Sequence, residues 1–184
     1  MLENFNCNDN EKADSMPRNI NFHVNFFTPS DIKLAMMSIC TCGLYELYWF
    51  YKNWVILKKM GKECSPFWRT IFAPLFAYSC FWNIRESMIK NKVDEKLPII
   101  FLALSYFILR IILSQSSWPY SLISLLSFWP VMIANTGALA VNKVHSMEFV
   151  SNNKFSMWNW FAIILGGTLI VVLNIIAFNK GILL

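Results

Sequence analysis

Glu46 is the residue that asks most of this chain. It stands in Leu44-Tyr45-Glu46-Leu47-Tyr48-Trp49-Phe50, a run otherwise apolar or aromatic. A carboxylate in such surroundings loses its water and needs a counter-charge or a cavity. Lys52, Arg69, Arg85 and Arg110 are its candidate partners. Two chemistries follow: a proton or ion relay, or a structural ion pair or interfacial acid. Lys52, six residues on, favours the structural reading. Asn135 and Asn174 also lie inside apolar blocks, where an amide can bond across helices at a worth on the order of 1 kcal/mol. Glu46, Arg110, Asn135 and Asn174 therefore form a candidate intramembrane polar or ionisable site.

Other chemistry is sparse. The chain has no G-x-S-x-G, no H-E-x-x-H, no glycine-rich phosphate loop and no paired acids at helical spacing, so no catalytic residue is assigned. Cys7, Cys40, Cys42, Cys64 and Cys80 make no C-x-x-C pair, and His23 and His145 are far apart. A metal site and a cofactor are therefore not expected, and the cysteines read as free thiols. The net charge is +5. The bases do not form a tract: Lys52, Lys58, Lys59, Lys62 and Arg69 make one cluster, and Arg85, Lys90, Lys92 and Lys96 another. Both flank apolar blocks, which points to anionic lipid head groups rather than nucleic acid.

The elements that must position these groups are long apolar blocks at 32–51, 67–84, 97–113, 120–141 and 157–178. Hydrophobic residues make up 56% of the 184-residue chain, and its mean hydropathy is +0.43. About 20 helical residues cross a hydrocarbon core. The fold class is thus all-α, a multi-pass transmembrane bundle of about five membrane helices. Predicted helices span about 31–59, 66–90, 97–115, 119–145 and 156–179. Residues 1–27 read as a polar, mobile N-terminal arm, and 28–184 as one membrane-embedded domain. The arm has no early hydrophobic core, so the first apolar block should act as an uncleaved anchor. Asn21–Phe26 alternates in polarity, which suits an extended segment against the membrane surface.

Helix starts are punctuated. Thr28 reads as an N-cap ahead of Pro29, and Ser65-Pro66, Ser117-Trp118-Pro119 and Ser156 repeat the device. Nothing is predicted to stop the first helix before Gly61. Arg110 lies near the end of its block, where it can snorkel to head groups. Pro130 should kink the fourth helix and Pro74 the second. In that second block Thr70, Ala73, Ala77, Cys80, Asn83 and Ser87 form a small or polar stripe, opposite Phe67, Ile71, Leu75, Tyr78, Trp82 and Ile89.

Charge and length disagree on the topology of this second helix. Basic clusters flank it on both ends, yet Lys and Arg favour the cytoplasmic side. Its 18 residues favour full spanning; a re-entrant or interfacial placement would put both clusters on one side. Ala134/Ala138 and Ala162/Gly166, with Gly167 beside them, have small-xxx-small spacing and predict close helix packing. A substrate-binding helix break at Gly166-Gly167 is the sharper alternative. Trp49, Lys52, Trp54, Trp68, Trp118 and Trp158 sit near block ends and read as interfacial anchors.

Gly43-Leu44-Tyr45-Glu46-Leu47-Tyr48-Trp49-Phe50-Tyr51-Lys52-Asn53-Trp54, Ser65-Pro66-Phe67-Trp68-Arg69, and Phe155-Ser156-Met157-Trp158-Asn159 followed by Gly166-Gly167 carry a resemblance. Together they resemble an uncharacterised family of small bacterial multi-pass inner-membrane proteins with a G-L-Y-x-L-Y-W-F-Y-K-N-W signature. It spans roughly residues 28–180 through few matched positions, and Met157 departs from the expected glycine. The resemblance implies a bacterial inner (plasma) membrane location and supplies no activity or site residue. The function expected is non-catalytic, through helix packing with itself or another membrane protein, or through membrane lipid. The alternative is a small oligomeric transporter or channel, motivated by the polar residues above; a membrane-bound enzyme is third.

Overall fold

A computed structural model describes residues 25–94, 96–112, 123–145 and 155–179. Within them the chain is all-helical: α1 (Asp31–Cys40), α2 (Leu44–Lys59), α3 (Pro66–Ile71), α4 (Ala73–Lys90), α5 (Ile99–Phe107), α6 (Phe128–His145) and α7 (Met157–Asn179). A π-helical turn, Ile108–Ile112, extends α5, and a 3-10 turn, Ser124–Ser127, leads into α6. Of the predicted arm, residues 1–24 lie outside the described residues.

Local stops explain where these helices end. The first predicted helix does not run through to Lys59; it breaks at Thr41–Gly43. Gly43 N–H donates to the Ser38 carbonyl and Cys42 N–H to the Ile39 carbonyl, with Cys42 and Gly43 both at positive φ (50° and 86°). This pair of bonds satisfies the last carbonyls of α1 and turns the chain. The Thr41 hydroxyl donates to Met37 O and accepts from Tyr45 N–H, bridging the two helices. The same pair of bonds ends α2 at Gly61 and α4 at Lys92. Two of the three stops use a non-glycine residue, which is why the sequence hides them.

Helix starts also shift. Ser30, not Thr28, caps α1 by accepting from Lys33 N–H. The Thr28 hydroxyl instead accepts from Asn142 Nδ2. Residues 25–28 form no helix, and Phe26, expected in a segment against the membrane surface, is buried in the core; residues 21–24 of that segment lie outside the described residues. The bend predicted at Pro74 falls at Phe72, between α3 and α4. Pro130 sits in the first turn of α6, where its missing N–H follows the change from 3-10 to α winding.

The core lies where α2, α4, α5 and α6 meet. Trp49, Phe50, Phe81 and Tyr106 are fully buried there, with ring centroids 5.2 Å apart for Trp49–Phe50, 5.8 Å for Phe50–Phe81 and 5.3 Å for Phe50–Tyr106. Such pairs contribute about 0.5–1.5 kcal/mol each beyond area burial. On α4 the small residues Ala73, Ala77 and Cys80 face in, while Leu75, Tyr78, Trp82 and Ile89 face out. Ala134 and Ala138 are buried on α6, and Gly137 packs under Met88.

Of the roughly five membrane helices that hydropathy predicts, one is long and apolar enough to cross a membrane on the described residues, Ser124–His145. Ile99–Ile111 and Asn159–Val172 are shorter apolar stretches. The breaks at residues 41–43 and at Phe72 shorten the others.

α7 docks on α1 through glycine. A Cβ on Gly166 would overlap the Cys40 carbonyl oxygen, and one on Gly167 would lie 4.0 Å from Cys40 Sγ. Ala162 packs on the core one turn earlier. Gly166→Ala should therefore push α7 off α1. Gly167→Cys should form a disulfide with Cys40 under mild oxidation, seen as a mobility change on a non-reducing gel. The double variant carrying G166A and G167C should show little or none of that product.

Candidate functional site

α2 turns Tyr45, Glu46, Trp49, Phe50, Asn53, Trp54 and Leu57 inward, at the three- and four-residue spacing of one broad helix face. Glu46 is fully buried on it. Its Oε1 accepts from Ser127 Oγ at 2.8 Å, and its Oε2 faces Arg110 Nε at 4.0 Å. Arg110 is one of the four candidate partners. It does not run out to solvent as a snorkelling side chain would: its side chain is 20% exposed, and Nη1 donates to the Cys42 carbonyl at 3.1 Å. The π-helical turn at Ile108–Ile112 carries Arg110 one turn beyond Tyr106, whose buried hydroxyl interacts electrostatically with Glu46 and Arg110.

Gly43 makes room for this arrangement. A Cβ there would lie 2.7 Å from Arg110 Cζ, so any larger residue would displace the guanidinium. The positive φ and the close approach thus both require glycine at this turn.

Asn135 sits elsewhere along α6. Its Oδ1 accepts from Trp49 Nε1 at 3.0 Å, and its Nδ2 donates to Pro29 O at 2.9 Å and to Asp31 Oδ1 at 3.5 Å. About two turns further along the same face, Asn142 Oδ1 accepts from Phe26 N–H at 2.8 Å while Nδ2 donates to Phe26 O at 2.8 Å. Asn53 treats the next residue alike: Oδ1 accepts from Phe27 N–H at 3.0 Å, and Nδ2 donates to Phe27 O at 3.3 Å and to Trp49 O at 3.1 Å. Two side-chain amides thus read the backbone of the extended segment as a neighbouring strand would. Ser127, Asn135 and Asn142 lie along one face of the α6 rod and Glu46, Trp49 and Asn53 along α2, so the polar groups form a seam.

The four sequence-predicted site residues therefore divide. Glu46 and Arg110 come together; Asn135 belongs to the seam one turn along α2. The Asn174 side chain lies outside the described residues. Ser127, Tyr106, Asn53 and Asn142 were not singled out as site residues. Two signals point to them: Tyr106 and Arg110 are four apart, and Asn135 and Asn142 are seven apart in one apolar helix.

Two predicted interfacial anchors do not face outward. Trp49 and Trp54 are fully buried. The Arg69 guanidinium covers the Trp54 ring at 4.7 Å. Distance from a block end says nothing about which face of the helix a ring occupies, and here the face is the core one. Trp68 is 60% exposed, and Lys52 lies over the Tyr48 ring at 5.4 Å. Trp118 and the Trp158 side chain lie outside the described residues.

A second polar cluster closes one end of the bundle. Glu86 accepts from Lys62 Nζ and from Lys90 Nζ, each at 2.8 Å. It lines a cleft of about 210 Å³ with Met60, Asn83, Ser87, Asn91 and His145, built from the C-terminal ends of α2, α4 and α6. The loop after α2 and the end of α4 are therefore at the same end. Among the described residues no group of three or more His, Cys, Asp or Glu could hold a metal ion. No protein-family model matches the chain, and no curated protein or solved structure matches it.

Two tests follow. Arg110→Ala leaves a buried carboxylate without its counter-charge and should destabilise by about 3 kcal/mol in detergent unfolding, with Glu46→Gln on top restoring most of the loss. A relay would instead require Glu46→Gln alone to abolish an activity while leaving stability intact. At the other end, hydrogen bonds from Lys62 and Lys90 hold the Glu86 carboxyl down at about 2, against an ordinary 4.5. Its folded value is depressed, so its contribution to stability is present above the ordinary value and is lost as pH falls through about 2. In Lys62→Gln the Glu86 titration followed by NMR should move upward, and the acid loss should be smaller and complete at a higher pH.

Proposed function

We propose that this chain is a multi-pass α-helical protein of the bacterial inner membrane. In this reading it has no intrinsic catalysis and acts through helix packing, with itself or a membrane partner, and through lipid contact. One observation carries it: around a buried aromatic core, the helices still expose many large apolar side chains, while small residues lie at helix contacts. On α3 and α4, Phe67, Trp68, Ile71, Leu75, Tyr78, Trp82 and Ile89 are exposed while Ala73, Ala77 and Cys80 are buried. On α7 the glycines face α1 while Phe161, Ile164, Leu165, Leu169, Val171 and Val172 are exposed. In water such a surface is a liability; against lipid tails it carries no penalty, and small residues are what lets helices approach. The 23 residues of α7 carry no charge, which suits a second crossing.

The charge conflict supports a re-entrant second block. With Lys62 and Lys90 joined through Glu86, both basic clusters can lie on the cytoplasmic side, and the chain between them goes in and returns. The inner-membrane location rests on the resemblance of the G-L-Y-x-L-Y-W-F-Y-K-N-W stretch.

A small oligomeric transporter would need its polar groups to line a path. Asn53, Asn135 and Asn142 are instead bonded within the seam, and Glu46 meets Ser127 and Arg110. That favours packing over transport.

In a cysteine-free background, single cysteines at positions 64 and 92 should react with a membrane-impermeant maleimide from the same side. Labelling from opposite sides would sink the re-entrant placement. Extraction of the whole chain from membranes by alkaline carbonate would sink the integral reading.

A further inference from the structure

The basic end carries two kinds of cation. Lys62 and Lys90 already have Glu86 as their counter-ion. Arg69 is spread over the Trp54 and Phe76 rings, at 4.7 and 5.6 Å. Lys58 and Lys59, in the last turn of α2, are both exposed and form no ion pair among the described residues. They flank a groove of about 470 Å³ between the end of α2 and the start of α3, lined also by Tyr51, Val55, Ser65, Pro66 and Phe67. No acid lines it; Glu63, in the loop that closes it, stands outside the lining. The α2 side supplies Tyr51, Val55, Lys58 and Lys59 and the α3 side Ser65, Pro66 and Phe67, so each side mixes polar and apolar groups, and the apolar part continues into the exposed rings of Phe67 and Trp68.

We infer that this groove binds one anionic glycerophospholipid. Its phosphate sits between the Lys58 and Lys59 ammonium groups within reach of the Tyr51 and Ser65 hydroxyls, and its acyl chain runs along Val55 and Phe67. Charge complementarity selects the head group, because two ammonium groups with no ion pair among the described residues attract a net anion and gain little from a zwitterion. Val55, Pro66 and Phe67 select a lipid over free phosphate, which would leave these apolar side chains without a partner. The Lys62–Lys90 cleft is a poorer site, because Glu86 has already neutralised much of its charge. This inference rests on the membrane-embedded reading above.

The test uses the full chain purified in a mild detergent and presented with phosphatidylglycerol, phosphatidylcholine of the same acyl chains, or inorganic phosphate, with bound lipid counted by native mass spectrometry. The wild type should retain phosphatidylglycerol over phosphatidylcholine, with a preference of about fivefold per lysine. K58Q/K59Q should lose that preference, K58R/K59R should keep it, and K62Q/K90Q should be unchanged. An equal preference in K58Q/K59Q and the wild type would overturn the site, as would saturation by inorganic phosphate alone. Circular dichroism on each variant assures that the chain is folded; should K58Q/K59Q unfold, loss of preference in Phe67→Asp with both lysines intact supports the site, and retention overturns it. Carbonate extraction of the same membranes separates the two failures: a chain that stays in the pellet without lipid preference loses only the groove, and a chain that is released loses the membrane reading as well.

Discussion

The fold depends on how one buried seam of polar groups is satisfied. A carboxylate removed from water is expensive, and an unpaired amide or carbonyl in an apolar core costs about 1–3 kcal/mol. Glu46 therefore draws Ser127 and Arg110 to it from separate parts of the chain. Asn53, Asn135 and Asn142 do the same for backbone groups of Phe26, Phe27 and Pro29, ahead of α1. Because amide and carboxylate bonds are directional, they fix the rotation of α2 against α6, which the aromatic packing around Phe50 alone would leave loosely specified.

The seam also decides what the break at Thr41–Gly43 is for. The turn exposes the Cys42 carbonyl to Arg110, and the bare Cα of Gly43 lets the guanidinium lie against it. A continuous helix would keep that carbonyl in its own ladder. The turn is thus part of the Glu46 environment, and the wide π-helical winding at Arg110 is its counterpart on the other side.

Outside the seam, the exterior follows the opposite logic. Many large apolar side chains lie on the surface, and small residues lie at helix contacts such as Gly166 on Cys40. At one end, Glu86 pairs with Lys62 and Lys90 where the ends of α2 and α4 meet, and Lys58 and Lys59 lie apart from that cluster.

The sequence by itself determined the helical class, the apolar blocks, the small stripe on α4 and the importance of Glu46, because these depend on composition and on the period of a single helix. The helix starts at Pro66 and Met157 were legible for the same reason. Only the tertiary structure decided which base meets Glu46, since Lys52, Arg69, Arg85 and Arg110 are equivalent until α5 is placed beside α2. It alone turned Trp49 and Trp54 inward, because proximity to a block end does not specify a face. It alone stopped α1 at Cys42, where a non-glycine residue takes a left-handed conformation that local propensity disfavours and that the Arg110 and Tyr45 contacts hold in place. And it brought Phe26 into the core, because the asparagines that bond its backbone lie 116 residues away in one case and 26 from its neighbour in the other, beyond the reach of any local pattern.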